Sequence, residues 1–257
     1  MNGLARKQVI LKTNRTILIG FPKRRRELPA EYRKIYVEYY RKNREGSTKA
    51  TFLSKRMEVW LHKKVASDVA DSKCDYSTLE IGAGTLNQLD YEKGIKTYDI
   101  VEPFEELYRN SKCLSRVRNI YNNIEEIGED TKYDRIISIA TFEHILDLPK
   151  VVAKTSLLLT QNGHLRVSIP NEGTILWRLG TKITGYEFKR RYGLDYKTLM
   201  EFEHVNTADE IEHVLGHFFA TVRCSVMGLN RKLAFYRFYD CSNPDVDMAS
   251  TYLVQKK

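Results

Sequence analysis

From Ser77 to His217, short apolar runs alternate with longer amphipathic stretches, which is how strands buried on both faces and the helices that cover them read in a sequence. The runs predict strands over residues 78–81, 97–101, 117–121, 134–139 and 164–169. The 3.6-residue pattern predicts helices over 85–90, 104–110, 148–159 and 208–217, and polar links such as Glu129-Asp130-Thr131-Lys132 separate the elements. Such alternation demands a parallel sheet covered on both faces. Two further strands, 220–227 and 249–254, joined by an irregular link, are predicted to close the chain. Ahead of the alternating region, Val9-Ile10-Leu11 and Ile17-Leu18-Ile19 read as a small hairpin or arm. Two helices follow, over about 30–44 with Tyr32, Ile35, Tyr36, Tyr39 and Tyr40 on one side, and over about 49–69 with Met57, Trp60, Leu61 and Val65 at helical spacing. The expected division is an arm with cap helices over 1–72 and a core over 73–257 that carries an insertion at about 171–206.

The first core strand runs into Glu80-Ile81-Gly82-Ala83-Gly84-Thr85, and the second closes on Val101-Glu102-Pro103. Gly82 and Gly84 flank a turn at which backbone amides can approach a ligand closely. Glu102 lies twenty positions after Gly82, where a carboxylate can accept both vicinal hydroxyls of a ribose. A dinucleotide site would need a third glycine for tight helix packing against a pyrophosphate, and that position is Asn87. The pattern therefore suits a nucleoside whose tail is an amino acid.

These residues resemble motif I and the ribose-binding motif II of the class I S-adenosylmethionine-dependent methyltransferases, over roughly Ser77 to Lys257. The resemblance implies a doubly wound, Rossmann-like α/β fold: a mostly parallel seven-stranded sheet with helices on both faces, the final strand antiparallel, and here an N-terminal helical extension. It implies S-adenosyl-L-methionine as cofactor and S-adenosyl-L-homocysteine as product. Cofactor contacts are expected from Glu80, Gly82, Ala83, Gly84, Glu102 and Pro103. Asn123 and Ile124 fall where the family holds the adenine, and Ala140 opens the stretch that resembles motif IV. Tyr40, Arg44 and His62, in the segment that in this family covers the cofactor, are further candidates.

Within Ile139-Ala140-Thr141-Phe142-Glu143-His144, His144 is the candidate catalytic base, since an imidazole with pKa near about 6.5 can take a hydroxyl proton as a methyl group arrives. The insertion holds Trp177, Arg178, Arg190, Arg191 and Tyr192, with His204 just before the helix-start signal Thr207-x-Asp209-Glu210. Rings interleaved with guanidinium groups suit an acceptor that is cyclic and anionic, such as a phosphorylated or nucleotide-linked sugar. The pieces Pro170-Asn171-Glu172-Gly173 and Glu203-His204-Val205-Asn206-Thr207 resemble methyltransferases of bacterial surface-glycan pathways, which makes a hydroxyl of a small molecule or glycan precursor the expected acceptor.

Charge adds an alternative. Residues 1–64 hold 18 Lys and Arg against 5 Asp and Glu, whereas the whole 257-residue chain carries +9. That asymmetry fits RNA or protein as acceptor, but no Asn/Asp-Pro-Pro-Tyr motif of base-nitrogen methylation is present, so nucleic acid is the less favoured partner. A non-catalytic nucleoside-binding scaffold subunit is the remaining alternative. Cys74, Cys113, Cys224 and Cys241 show no metal or disulfide spacing, so no metal is expected. Without a signal segment or an apolar run long enough for a membrane span, the expected location is cytoplasmic.

Overall fold

The computed structural model describes residues 15–36, 52–70 and 75–256. Seven strands form one sheet: β1 (Tyr76–Ile81), β2 (Ile95–Val101), β3 (Asn119–Tyr121), β4 (Tyr133–Ile139), β5 (Leu159–Pro170), β6 (Phe219–Gly228) and β7 (Ala234–Pro244), in the order β3-β2-β1-β4-β5-β7-β6. The first five pair in parallel, and β7 lies antiparallel between β5 and β6. Strand order reverses between β1 and β4, which opens a crevice at their carboxyl ends.

Each strand sends alternate side chains to opposite faces. Leu79, Ile81, Ile136 and Val167 join α4 (Leu148–Leu158), α7 (Ala208–Phe218) and α8 (Val246–Gln255) in the larger core, through Val152, Ile211, Val214, Phe218, Ala249 and Tyr252. Tyr98, Ile100, Ile137 and Phe238 face the other way, onto Val65 and Trp60 of α2 (Phe52–Val65) and onto Leu86 and Leu89. A third, smaller core joins residues 28–36, helical from 30 as α1, to α5 (Ile175–Tyr192) and α6 (Tyr196–Glu203), through Leu28, Tyr32, Phe188 and Leu199. The insertion thus packs against the start of the chain rather than standing alone.

Four expectations are corrected. Residues 249–254 are helical within α8, because Asp245 caps it by accepting from the Met248 N–H at 2.9 Å and Ala249 and Tyr252 bury one turn apart. The closing strand is β7, in the stretch read as an irregular link. Residues 85–90 hold only a 3-10 turn, Asn87–Asp90, because Leu86 takes a left-handed conformation (φ 66°) that stops an α-helix from starting there. Residues 17–19 lie in a 3-10 helix, Arg15–Gly20, not a strand; the partner run 9–11 lies outside the described residues. The helix expected over 104–110 is the single turn α3 (Glu105–Tyr108).

Candidate active site

The crevice begins at Gly82, whose φ of 73° continues β1 into the turn while its N–H donates to the Val101 carbonyl at 2.8 Å. A Cβ there would overlap the Thr141 side chain, so glycine is what lets the ends of β1 and β4 close on each other. Gly84, also at positive φ (52°), donates its N–H to Glu102 Oε2 at 2.8 Å. The Phe104 N–H donates to Glu102 Oε1 at 3.1 Å. Two backbone donors therefore fix the buried Glu102 carboxylate beside the glycine turn and leave each oxygen a second acceptor position. This is the arrangement a ribose diol needs.

Glu80 lies beneath that turn. Its Oε2 accepts the Tyr98 hydroxyl at 2.7 Å, and burial pushes its pKa up to about 8 against that hydrogen bond. Ala83 is buried, whereas Pro103 is exposed at the rim. Asn123 caps the 3-10 turn Ile124–Glu126 by accepting the Glu125 N–H at 3.1 Å, and Ile124 packs with Val101 in the larger core. Ala140 takes φ 48°, uncommon for a residue with a Cβ, and donates its N–H to the Ser168 carbonyl at 2.8 Å. His62 donates from Nδ1 to Gln88 Oε1 at 2.8 Å and stacks on Tyr91, and burial lowers its pKa against that hydrogen bond. Tyr40 and Arg44 lie outside the described residues.

Beyond β4 the chain turns through Phe142–His144 and meets the end of the insertion. The N–H groups of Val205 and Asn206 both donate to the Glu143 carbonyl, at 2.8 and 3.1 Å. Asn206 Nδ2 donates to the carbonyls of Phe142 and Ile145, at 2.8 and 2.7 Å. This lacing places His144 and His204 edge to face, with ring centroids 4.7 Å apart. His144 Nδ1 lies 2.9 Å from the Glu203 carbonyl, which can only accept, so Nδ1 carries the proton and Nε2 the lone pair of the neutral ring. His204 Nδ1 hydrogen-bonds Glu172 Oε1. Burial works against protonation of His204, but the Glu172 hydrogen bond and the charges of Glu172, Glu143 and Glu203 outweigh it and raise its pKa. Trp177 lies 6.2 Å from His204 and 6.3 Å from Tyr236, ring centre to ring centre. Burial, reinforced by Glu143 and Glu58, pushes the Tyr236 pKa up to about 12.

Trp177 and His204 are therefore brought to His144. Arg190 and Arg191 are not: both are exposed near the far end of α5, about 20 Å along the helix from Trp177 at 1.5 Å per residue, and Arg191 lies over Tyr192. Tyr192 packs in the smaller core against Phe188. Arg178 lies in α5, and its side chain is outside the described part. Among the described residues, the charges that act on the His204 ring are the carboxylates of Glu172, Glu143 and Glu203, which disfavour an anion beside it.

Several residues of the site had no individual role assigned from the sequence. Glu172 and Asn206 act through hydrogen bonds to partners 32 and more positions away, and Tyr236 lies on the unrecognised β7. Lys23 and Arg25 of the N-terminal segment reach the same loops. The Lys23 N–H donates to the Leu146 carbonyl at 2.8 Å, Lys23 Nζ to the Val205 carbonyl at 2.7 Å, and Arg25 Nη2 to the His144 carbonyl at 2.9 Å.

No protein-family model matches this sequence, and no curated protein matches it. Solved structures do match. A Thermotoga maritima S-adenosylmethionine-dependent methyltransferase, described as a possible histamine N-methyltransferase, superposes with a TM-score of 0.53 at 15% identity, covering 83% of this chain and 99% of that one. The fold is that of a class I methyltransferase. The N-methyltransferase NodS from Bradyrhizobium japonicum, in complex with S-adenosyl-L-homocysteine, gives a TM-score of 0.51 at 12% identity and covers 84% of this chain and 100% of its own. The complex of the Trm112 methyltransferase activator with a methyltransferase from Haloferax volcanii gives 0.51 at 11% identity, covering 85% and 100%. No helix among the described residues of this methyltransferase-fold chain is long and apolar enough to cross a membrane.

Proposed function

We propose that the chain is a methyltransferase that binds S-adenosyl-L-methionine in the crevice between Gly82–Gly84 and Glu102 and methylates an oxygen of a small molecule held beside His144. The observation that carries this reading is the Glu102 carboxylate, fixed by the Gly84 and Phe104 N–H groups at the carboxyl end of β2 beside a bare glycine turn. Bound there, the cofactor supplies an electrophilic methyl on a sulfonium. Glu102 accepts the ribose hydroxyls. Gly82, Ala83 and Gly84 offer backbone, Pro103, Asn123 and Ile124 border the adenine, and Ala140 closes the crevice from β4. Glu80 supports the turn from below through Tyr98.

On the acceptor side the protein's work is chiefly positioning, because a displacement in line with the departing sulfur gains most from orientation. Trp177 and Tyr236 wall the pocket, and His144 activates the hydroxyl through Nε2. That nitrogen is a base for the hydroxyl proton. The carboxylates of Glu143 and Glu172 favour an acceptor that is neutral or cationic, so an amine is the second reading.

Glu102→Gln keeps the shape of the side chain and removes its charge. Hydrogen bonds to a charged group contribute about 1.5–3 kcal/mol each, so calorimetry should show S-adenosyl-L-homocysteine bound about 100-fold more weakly by a protein with unchanged circular dichroism. An unchanged affinity removes the ribose assignment. Mass spectrometry of products from paired hydroxyl and amine acceptors separates the two readings.

A further inference from the structure

We propose that Glu143, His144 and His204 form a binding site for a divalent first-row transition cation, and that this ion holds and acidifies the acceptor hydroxyl. The inference rests on the reading of the acceptor pocket above and gives its means of activation.

One donor atom from each of the three residues lies within 4.8 Å of the other two, and His144 Nε2 stands 3.9 Å from Glu143 Oε1. Donors at about 2.1 Å from an ion sit about 3 to 3.4 Å apart on one face of an octahedron or tetrahedron, so side-chain rotations that move the donors by up to about 1.5 Å close the set. Two imidazoles and one carboxylate make a three-donor face suited to manganese, iron, cobalt or zinc, with the remaining positions open. The Glu203 carbonyl and the Glu172 carboxylate each engage a Nδ1, which leaves Nε2 as the lone-pair nitrogen of each neutral ring. Hydrogen bonds of this kind behind histidine ligands fix ring orientation and raise basicity.

The donors are also held before any ion arrives. Glu143 and His144 come from the turn after β4 and His204 from the end of α6. The bonds from Val205 N–H, Asn206 N–H and Asn206 Nδ2 fasten these two segments together. Glu143, with Glu172 beside the two imidazoles, gives the cluster the negative charge that favours a bound cation. Spacing could not reveal this site, because the expectation of no metal came from the cysteines, whereas His204 lies about sixty positions from the adjacent Glu143 and His144.

At such an ion the acceptor hydroxyl coordinates through oxygen and loses its proton to solvent. The oxygen keeps the electron pair that forms the new carbon–oxygen bond, and the carbon–sulfur pair leaves with sulfur. His144 then acts as a ligand rather than as the base.

The test uses the full chain, stripped with a chelator and titrated with Mn2+ while the signal of free Mn2+ is followed by electron paramagnetic resonance, with Zn2+ measured by chelator competition. Expected is one ion per chain, at least tenfold weaker binding after His204→Ala or Glu143→Gln, and about tenfold weaker binding after Glu172→Gln, in the range seen for residues behind metal ligands. S-adenosyl-L-homocysteine calorimetry on the same samples should be unchanged, which shows that each variant is folded. A wild type that binds neither ion, or binding that survives His144→Ala combined with His204→Ala, overturns the cation site. A wild type that binds the ion but no S-adenosyl-L-homocysteine keeps the site and removes the methyl-transfer reading.

Discussion

At Glu80, burial decides the chemistry of the side chain. The carboxyl lies under the glycine turn with Tyr98 as its hydrogen-bond donor, and its pKa stands near 8 against 4.5 for an ordinary glutamate. The folded protein thus holds a proton there more tightly than the unfolded chain does. The stabilisation is complete below about pH 4.5 and is lost as pH rises through about 8. Glu80→Gln keeps an acceptor for Tyr98 and cannot ionise. Melting curves from pH 5 to 9 should show the wild type losing stability relative to this variant as pH rises, by roughly 5 °C or more at about 2–4 °C per kcal/mol. Parallel profiles mean that the carboxyl is ionised in the folded protein. Gly82 poses a different constraint. Both its positive φ and the Thr141 side chain exclude a Cβ, so Gly82→Ala should cost about 2 kcal/mol or more in urea unfolding through strain and repacking together. An unchanged midpoint would show that Thr141 can move aside.

Among the elements, α2 shows most clearly how the sheet holds what the sequence leaves exposed. Its last carbonyls are met by two guanidinium groups rising from the sheet. Arg166 donates to the Val65 and Lys64 carbonyls at 2.8 and 3.0 Å, and Arg135 to the Val65 carbonyl at 3.3 Å. Arg135 also pairs with Glu92 at 2.7 Å and Asp68 at 2.7 Å, and both Arg135 and Glu92 are fully buried. Arg135→Ala leaves Glu92 without this cation and should destabilise the protein by about 3–5 kcal/mol. Chemical denaturation measures it, and a loss under 1 kcal/mol would show that water reaches Glu92. The strands β1, β2, β4 and β5 were legible because burial on both faces gives near-continuous apolar runs bounded by turn residues. The helix α7 was legible because Thr207 and Glu210 form a complete capping box. The strand β7 was not, since its Tyr, Arg and Asp side chains are satisfied largely by distant partners: Arg237 by Asn171 and Asp209, Tyr239 by Glu212, and Asp240 by His164 and Arg166. Residues 249–254 misled because a short apolar run with β-branched members fits either period. In the candidate site, Gly82 and Glu102 could be read from spacing, whereas Arg190 and Arg191 could not be placed without knowing where α5 points.

Across the whole molecule the first described segment packs onto the insertion and onto the loops around the paired imidazoles. Tyr32 donates its hydroxyl to the Asp195 carbonyl at 3.0 Å, accepts the Asp195 N–H at 2.9 Å, and buries its ring with Leu28, Phe188 and Leu199. Tyr32→Ala should loosen the insertion: limited proteolysis within residues 171–206 should quicken several-fold while S-adenosyl-L-homocysteine affinity stays within about twofold. Equal cleavage rates would show that the insertion holds itself. Part of the basic charge concentrated near the start of the chain is used internally, since Lys23 pairs with Glu210 at 2.6 Å and Arg26 with Glu201 at 2.8 Å. The segment grips the loops around the paired imidazoles mostly through main-chain oxygens, those of His144, Leu146 and Val205. Because those oxygens are present whatever the residue, side chains along both loops are free to change without unfastening the clasp. Natural drift or laboratory selection could then re-shape which molecules are accepted while the architecture around them stays shut.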